Sequence, residues 1–299
     1  MRIDPTYTNS LVASLGSISA AQQKISQELA SGLRLTSLGD DPLAAGQNES
    51  LSSAISQMDS FVQTVSNVSN RMQAADTALS STVTALNNAI SLATQGANTT
   101  LTSTQLKSLA DSLSSIRDSV LSLANSSYQG NYLFGGTSTS SQPFTLDDSA
   151  TPATVTYSGN SAVQSVTSTT GQQLQTSVPG SQLFGTGTPN DVFSALNTLI
   201  ADYQTGVVPS TAAADLATLH DSLTNLSQQR SVLDSSLSRL TAAGTYAKGQ
   251  QTDLQVAQSN LVSADPASLA TQLSAVTTQR SALLSTIAIV EKGSLFDYL

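Results

Sequence analysis

The chain has 299 residues, with only 10% charged and 4% aromatic side chains and no Trp, so few side chains can fill a thick globular core and a thin, elongated body is favoured. Its formal net charge is -9 and its eleven Lys and Arg are scattered singly, which excludes the cation clusters that nucleic acid or an anionic membrane surface would need. Cysteine is absent, which removes disulfides, thiolate catalysis and zinc ribbons, while an apolar fraction of 39% and a mean hydropathy of -0.02 are too high for a disordered polar chain.

Met1-Arg2-Ile3-Asp4-Pro5 holds no apolar stretch long enough for a cleaved signal peptide, and no run along the chain is long enough to insert in a membrane. Leu11, Leu15, Ile18, Gln22, Ile25 and Leu29 alternate spacings of four and three, which predicts a helix with one apolar seam interrupted at Gln22. Gly32 and Gly39-Asp40-Asp41-Pro42 break it. Asp41 can accept the free amides of a new helix whose first position Pro42 occupies. That second helix, over 42–95, carries Leu51, Ile55, Met58, Val62, Val65, Val68, Met72, Ala75, Leu79, Val83, Leu86 and Ile90 and stops at Gly96. At 1.5 Å per residue it is about 80 Å long, which compact domains seldom hold.

Thr102 and Gln105 form a capping-box pattern opening a third helix with Leu106, Leu109, Leu113, Ile116, Val120 and Leu123, closed by Gly130. From 131 to 188 Gly, Ser, Thr and Pro become dense, and Phe144-Thr145-Leu146, Thr154 to Tyr157 and Val163 to Val166 are predicted as short strands. Thr188, Pro189 and Asp191 cap a short helix through Tyr203 that Gly206 ends. Leu216, Leu219, Leu223, Leu226, Leu233, Leu237 and Leu240 begin another long seam in which Arg230 takes one position and Leu254, Ala257 and Leu261 resume. Gly244 and Gly249 weaken its middle. Asp265 and Pro266 repeat the Asp41-Pro42 device, and a last helix follows with Leu269, Leu273, Val276, Arg280, Leu283, Ile287 and Val290.

Each end thus has a short amphipathic helix, an Asp-Pro break and then a long helix. The simplest solution folds the chain in half: a mainly α protein with a small β insertion, an elongated antiparallel helical rod with its termini together and a β-rich tip. The expected parts are an N-terminal arm (1–41), a helical rod (42–130 and 189–264), a β-rich outer part (131–188) and a C-terminal arm (265–299). The two arms have no third helix beside them, so a lone pair leaves apolar surface open, at roughly 1.5–3 kcal/mol for each Leu or Ile that could have been buried. Leu11, Leu15, Ile18, Ile25 and Leu29, with Leu269, Leu273, Val276, Leu283, Ile287, Val290 and Leu295, are the expected assembly interface, ordering when neighbouring copies cover them.

Little points to chemistry. His220 is the only histidine and has no second ligand within a turn. Capping accounts for Asp40-Asp41 and turn solvation for Asp147-Asp148. Gly185-Thr186-Gly187 begins like a dinucleotide loop but has Asn190 where the third Gly belongs. Asn48, Asn67, Asn98, Asn125 and Asn225 lie in Asn-x-Ser/Thr triplets, which a Ser- and Thr-rich chain produces by chance. No nucleophile, base and stabiliser occur together, so neither an enzyme nor a cofactor is expected.

Ser31-Gly32-Leu33-Arg34-Leu35 followed by Asp40-Asp41-Pro42-Leu43-Ala44-Ala45 resembles the Ser-Gly-x-Arg element and Asp-Asp break of the flagellin family. Met1-Arg2-Ile3, Gly130 to Thr137 and the terminal Ser294-Leu295-Phe296-Asp297-Tyr298-Leu299 resemble the members that join hook to filament more than filament flagellin. The resemblance implies terminal helices forming an inner tube, long helices forming a shell and a variable outer part. It also implies type III export to the extracellular flagellum, an export chaperone on the C-terminal arm, and contact with hook-associated protein 1 and flagellin as partners. Filament flagellin itself is the alternative expectation, and a type III secreted translocator or effector a remote one.

Overall fold

The computed structural model describes the backbone of residues 5–37, 39–98, 100–188, 191–208 and 210–296, with side chains placed between 9 and 289. Met1-Arg2-Ile3, Pro189 and Asp297-Tyr298-Leu299, which entered the sequence expectations, lie outside the described residues, as do the side chains of Val290 and Leu295. Seven helices and six short strands are assigned among these residues: α1 (Pro5–Ser31), α2 (Pro42–Gly96), α3 (Ser103–Ala124), β1 (Ser127–Tyr128), β2 (Asn131–Tyr132), β3 (Phe144–Asp147), β4 (Thr154–Tyr157), β5 (Ser165–Thr167), β6 (Gln173–Gln175), α4 (Gly180–Phe184), α5 (Val192–Gln204), α6 (Ala212–Val262) and α7 (Pro266–Phe296). The chain divides into two compact units, one holding the residues up to 57 and from 250, the other 58–249.

In the first unit α1 packs along α7. Helix α1 ends because Gly32 takes a left-handed φ of +70° while its N–H still donates to the Glu28 carbonyl at 2.8 Å. Pro42 opens α2, and Asp41 Oδ1 accepts the Ala44 N–H at 3.1 Å. The second break works the same way: Pro266 opens α7 and Asp265 Oδ1 accepts the Ala267 N–H at 3.0 Å. Both capping expectations hold because the side chain that replaces the missing helical acceptors precedes a residue with no N–H to lose.

The second unit has the continuous core. Met72, Leu79, Leu86 and Ile90 of α2, Leu106, Leu113 and Val120 of α3, Leu196, Leu199 and Tyr203 of α5, and Leu219, Leu226, Leu233 and Leu240 of α6 are all buried in it. The capping box at Thr102 and Gln105 is present in both directions. Helix α6 runs unbroken through Gly244 and Gly249. At Gly244 an added Cβ would stand 2.7 Å from Val65 Cγ1, so the glycine marks a close approach to α2 rather than a weak point, whereas nothing lies within 4 Å of a Cβ at Gly249.

The strands form three separate antiparallel pairs, β1 with β2, β3 with β4 and β5 with β6. Thr154–Tyr157 and Phe144–Asp147, both in segments expected as strands, pair in a register that sets Phe144 opposite Tyr157. Their aromatic rings belong to a cluster of Phe134, Phe144, Tyr157, Phe184 and Phe193, with neighbouring centroids 4.9–6.1 Å apart. Four of the six Phe are thus spent here, where the helical seams end and short strands need bulky packing. Asn125 closes one free edge: its amide bonds both the N–H and the carbonyl of Phe144, at 3.0 and 2.9 Å, as a neighbouring strand would.

Two local expectations are corrected. Gly130 does not close α3, which ends at Ala124 with Asn125 as its cap. With Gln129 at φ +50° and Gly130 at +80°, it forms instead the two-residue turn of the β1–β2 hairpin, where both central residues need positive φ. Thr188 does not cap α5 either: its hydroxyl donates to the Gly185 carbonyl, and Asp191 alone receives the amides of Phe193 and Ser194.

Candidate assembly face

The seam of α1 faces α7, and the pair covers it only in part. Ile25 and Leu269 are buried, at 9% and 6% exposure, whereas Leu11, Leu15 and Ile18 on α1 and Leu273, Val276, Leu283 and Ile287 on α7 are only half-buried, and Leu29 is 42% exposed. Two helices cover one stripe each; a third face is needed to close the seam. A second set of apolar side chains lies off the seam: Val12 on α1, Leu284 and Ile289 on α7, and Leu33 and Leu43 around the break are exposed, Ile289 by 71%. Heptad counting passes over them because they do not continue a stripe.

The two Asp-Pro breaks meet. Leu33 and Ser263 form an antiparallel bridge, the Arg34 N–H donates to the Val262 carbonyl at 2.8 Å, and the Ala264 N–H donates to the Gly32 carbonyl at 2.9 Å. The guanidinium of Arg34 joins both sides, donating to Asp41 Oδ2 at 3.2 Å and to the Leu261 carbonyl at 3.1 Å. Asp40 Oδ2 accepts the N–H groups of Thr36 and Ser37 and the Thr36 hydroxyl, and Lys24 Nζ lies 2.9 Å from its other oxygen. These donors, Lys24 first, hold the Asp40 carboxyl well below the usual carboxylate range, and Asp40 in turn raises the Lys24 pKa. The Ala44 N–H, followed by Arg34, lowers Asp41. Ser31 contributes through its hydroxyl, which accepts the Leu33 N–H at 3.2 Å.

The Ser-Gly-x-Arg and Asp-Asp-Pro residues therefore form one elbow, in which glycine supplies the turn, Arg34 the cross-link, Asp40 the closure and Asp41 with Pro42 the new helix. Asp265 and Pro266 supply its other half. Sequence spacing alone gave Arg34 no task, since its acceptors at 41 and 261 lie on different elements.

The polar interruptions of the seams also find partners. Arg280 Nη1 donates to Gln22 Oε1 at 3.1 Å, joining the two arms. Arg230 of α6 forms a two-pronged pair with Asp76 of α2, which raises the Arg230 pKa. The candidates for chemistry remain dispersed. Among the described residues no three His, Asp or Glu side chains could hold a metal ion, and no helix is long and apolar enough to cross a membrane. Asp147 accepts the backbone and hydroxyl of Ser149, which lowers its pKa. Four of the triplet asparagines are engaged: Asn48 accepts from Gln258, Asn98 accepts the N–H and hydroxyl of Thr100, Asn125 holds Phe144 and Asn225 donates to the Gln182 carbonyl.

Paired end helices on a shared elbow, continued into long helices with capped breaks, are the build of a helical structural subunit. The chain belongs to the flagellin family: the model of the bacterial flagellin N-terminal helical region matches residues 6–139, and that of the C-terminal helical region matches 216–299. Among curated proteins, it is 28% identical to flagellar hook-associated protein 3 of Salmonella typhimurium over 268 residues, covering 82% of this chain and 83% of that protein. Identity to the protein of the same name from Escherichia coli is 25% over 264 residues, with the same shares covered. Its fold matches a putative flagellar hook-associated protein from Vibrio parahaemolyticus with a TM-score of 0.67 at 21% identity, over 75% of this chain and all of that one. It also matches the flagellar junction protein FlgL from Legionella pneumophila with a TM-score of 0.59 at 15% identity, over 73% of this chain and all of that one.

Proposed function

We propose that this chain is a structural subunit of the bacterial flagellum that joins hook to filament by self-assembly through its terminal helices. The observation that carries this reading is the 28% identity to hook-associated protein 3 over 82% of this chain. The half-open seam gives it a mechanism. Residues 1–41 and 265–299 act as the arms, 42–130 and 189–264 as the rod, and 131–188 as the outer part. The seam residues, with the off-seam Val12, Leu284 and Ile289, bind neighbouring copies and order on contact, because ordering a thin pair alone costs more than it buries.

Hook-associated protein 1 on the hook side and flagellin on the filament side are the natural neighbours, and an export chaperone covers the C-terminal arm before type III export. The role is non-enzymatic. Filament flagellin is the second reading, favoured by the two flagellin models that match the ends. Labelled antibody on intact flagella separates the two. A single band at the hook end is expected, and label along the whole filament would make the chain a filament subunit instead.

A further inference from the structure

The arm seams use interchangeable residues, and this raises a problem that their hydrophobicity does not solve. Leu, Ile and Val at every other seam position would pack as well in a slipped register, or against the same helix of another copy, as in the observed pairing. Each seam has one polar interruption, Gln22 on α1 and Arg280 on α7, and the structure joins these two across the helix pair through the Arg280 Nη1 to Gln22 Oε1 bond of 3.1 Å. Arg280 is exposed and Gln22 half-buried. A slip of one heptad, which would set Arg280 opposite Leu15 or Leu29 and Gln22 opposite Leu273 or Ile287, is therefore disfavoured by loss of their bond and of matched leucine contacts rather than by burial of a charge. A parallel pairing of α7 with α7 of another copy would set one Arg280 guanidinium against the other. The long helices contain the same device, with Arg230 occupying a seam position of α6 and meeting Asp76 of α2.

We propose that Gln22 and Arg280 are the register and partner lock of the arms: their bond admits one antiparallel α1–α7 register, and Arg280 rejects α7–α7 pairing between copies. The lock gives up stability for specificity, as a lone polar residue in a coiled-coil seam does. Its effect on assembly rests on the arms being the assembly elements; its effect on self-pairing is a property of the free chain.

Two measurements on the full-length protein test it. In sedimentation, Arg280→Leu should self-associate at a concentration about tenfold or more below that at which the parent chain does, because the repulsive group is gone. In cells deleted for the chain, Gln22→Arg should lower the number of attached filaments about tenfold by placing two guanidinium groups together, and Gln22→Arg with Arg280→Gln should restore it to within about twofold. Reciprocal rescue is not expected of two side chains that merely tolerate their own surroundings. A swapped variant no better than Gln22→Arg, or Arg280→Leu as monomeric as the parent, overturns the lock. If the parent chain itself restores no attachment, the junction reading fails, and the sedimentation result alone still decides the lock.

Discussion

Gly244 and Gly249 lie in the same helix and should respond in opposite directions to one substitution. Alanine at 249 enters open space, so it gains helix propensity and less unfolded-state entropy, worth about 0.5–1 kcal/mol. Alanine at 244 would press on Val65 Cγ1, a β-branched side chain with little rotamer freedom inside α2, and the overlap should outweigh that gain by about 1 kcal/mol. Urea unfolding followed by circular dichroism measures both, and equal stabilisation would remove the close approach. Asp40 carries a pH dependence of stated sign. Its folded pKa lies below its unfolded value, so its contribution is complete above about pH 4 and is lost as pH falls through the folded value. Asp40→Asn should therefore reduce amide protection around 33–40 and 261–264 at pH 6, and the difference from the parent should shrink steadily as the pH is lowered from about 4 toward 2. A difference that did not shrink on acidification would show the carboxylate to be idle.

At the scale of elements, the caps separate the two units. Asp265→Ala deprives the Ala267 N–H of its acceptor, and Thr102→Ala breaks the reciprocal box with Gln105, each at a cost of about 1 kcal/mol. Hydrogen exchange should place the loss at the start of α7 in the first variant and at the start of α3 in the second, since the two caps lie in different units. A uniform loss in both would mean that the units unfold as one. The helices were legible because their signals are local: a heptad seam, an Asp before a Pro, a Thr three residues before a Gln. What stayed hidden depends on partners distant in sequence. Nothing near Arg34 points to the Leu261 carbonyl, nothing near Gln22 points to Arg280, and Gly244 reads as a flaw until Val65 stands beside it. Gly130 misled for the opposite reason, since a glycine after a helix is a common stop and the Gln129-Gly130 turn differs from it only by the strands on either side.

At the scale of the whole molecule, the question is which part folds alone and which part waits for neighbours. The second unit closes its core with residues from α2, α3, α5 and α6 and the aromatic cluster, and its seam leucines at 219, 226, 233 and 240 are at most 2% exposed. The α1–α7 pair has no such closure: of its seam residues with described side chains, only Ile25 and Leu269 are buried. Removing about thirty residues from each end should therefore take away little of the second unit's cooperative stability, because the arms contribute no side chain to its core. The same removal should abolish assembly, because the part of the seam that the pair leaves open, with Val12, Leu284 and Ile289, is what a neighbouring copy would bury. The expected outcome is a soluble core with a thermal midpoint within about 5 °C of the parent that fails to attach filaments to hooks in cells lacking the full chain. If the truncated core still attaches filaments, the contact between copies lies on the long helices or the strands. If it fails to fold, the arms contribute to the core a stability that their exposed seams do not account for.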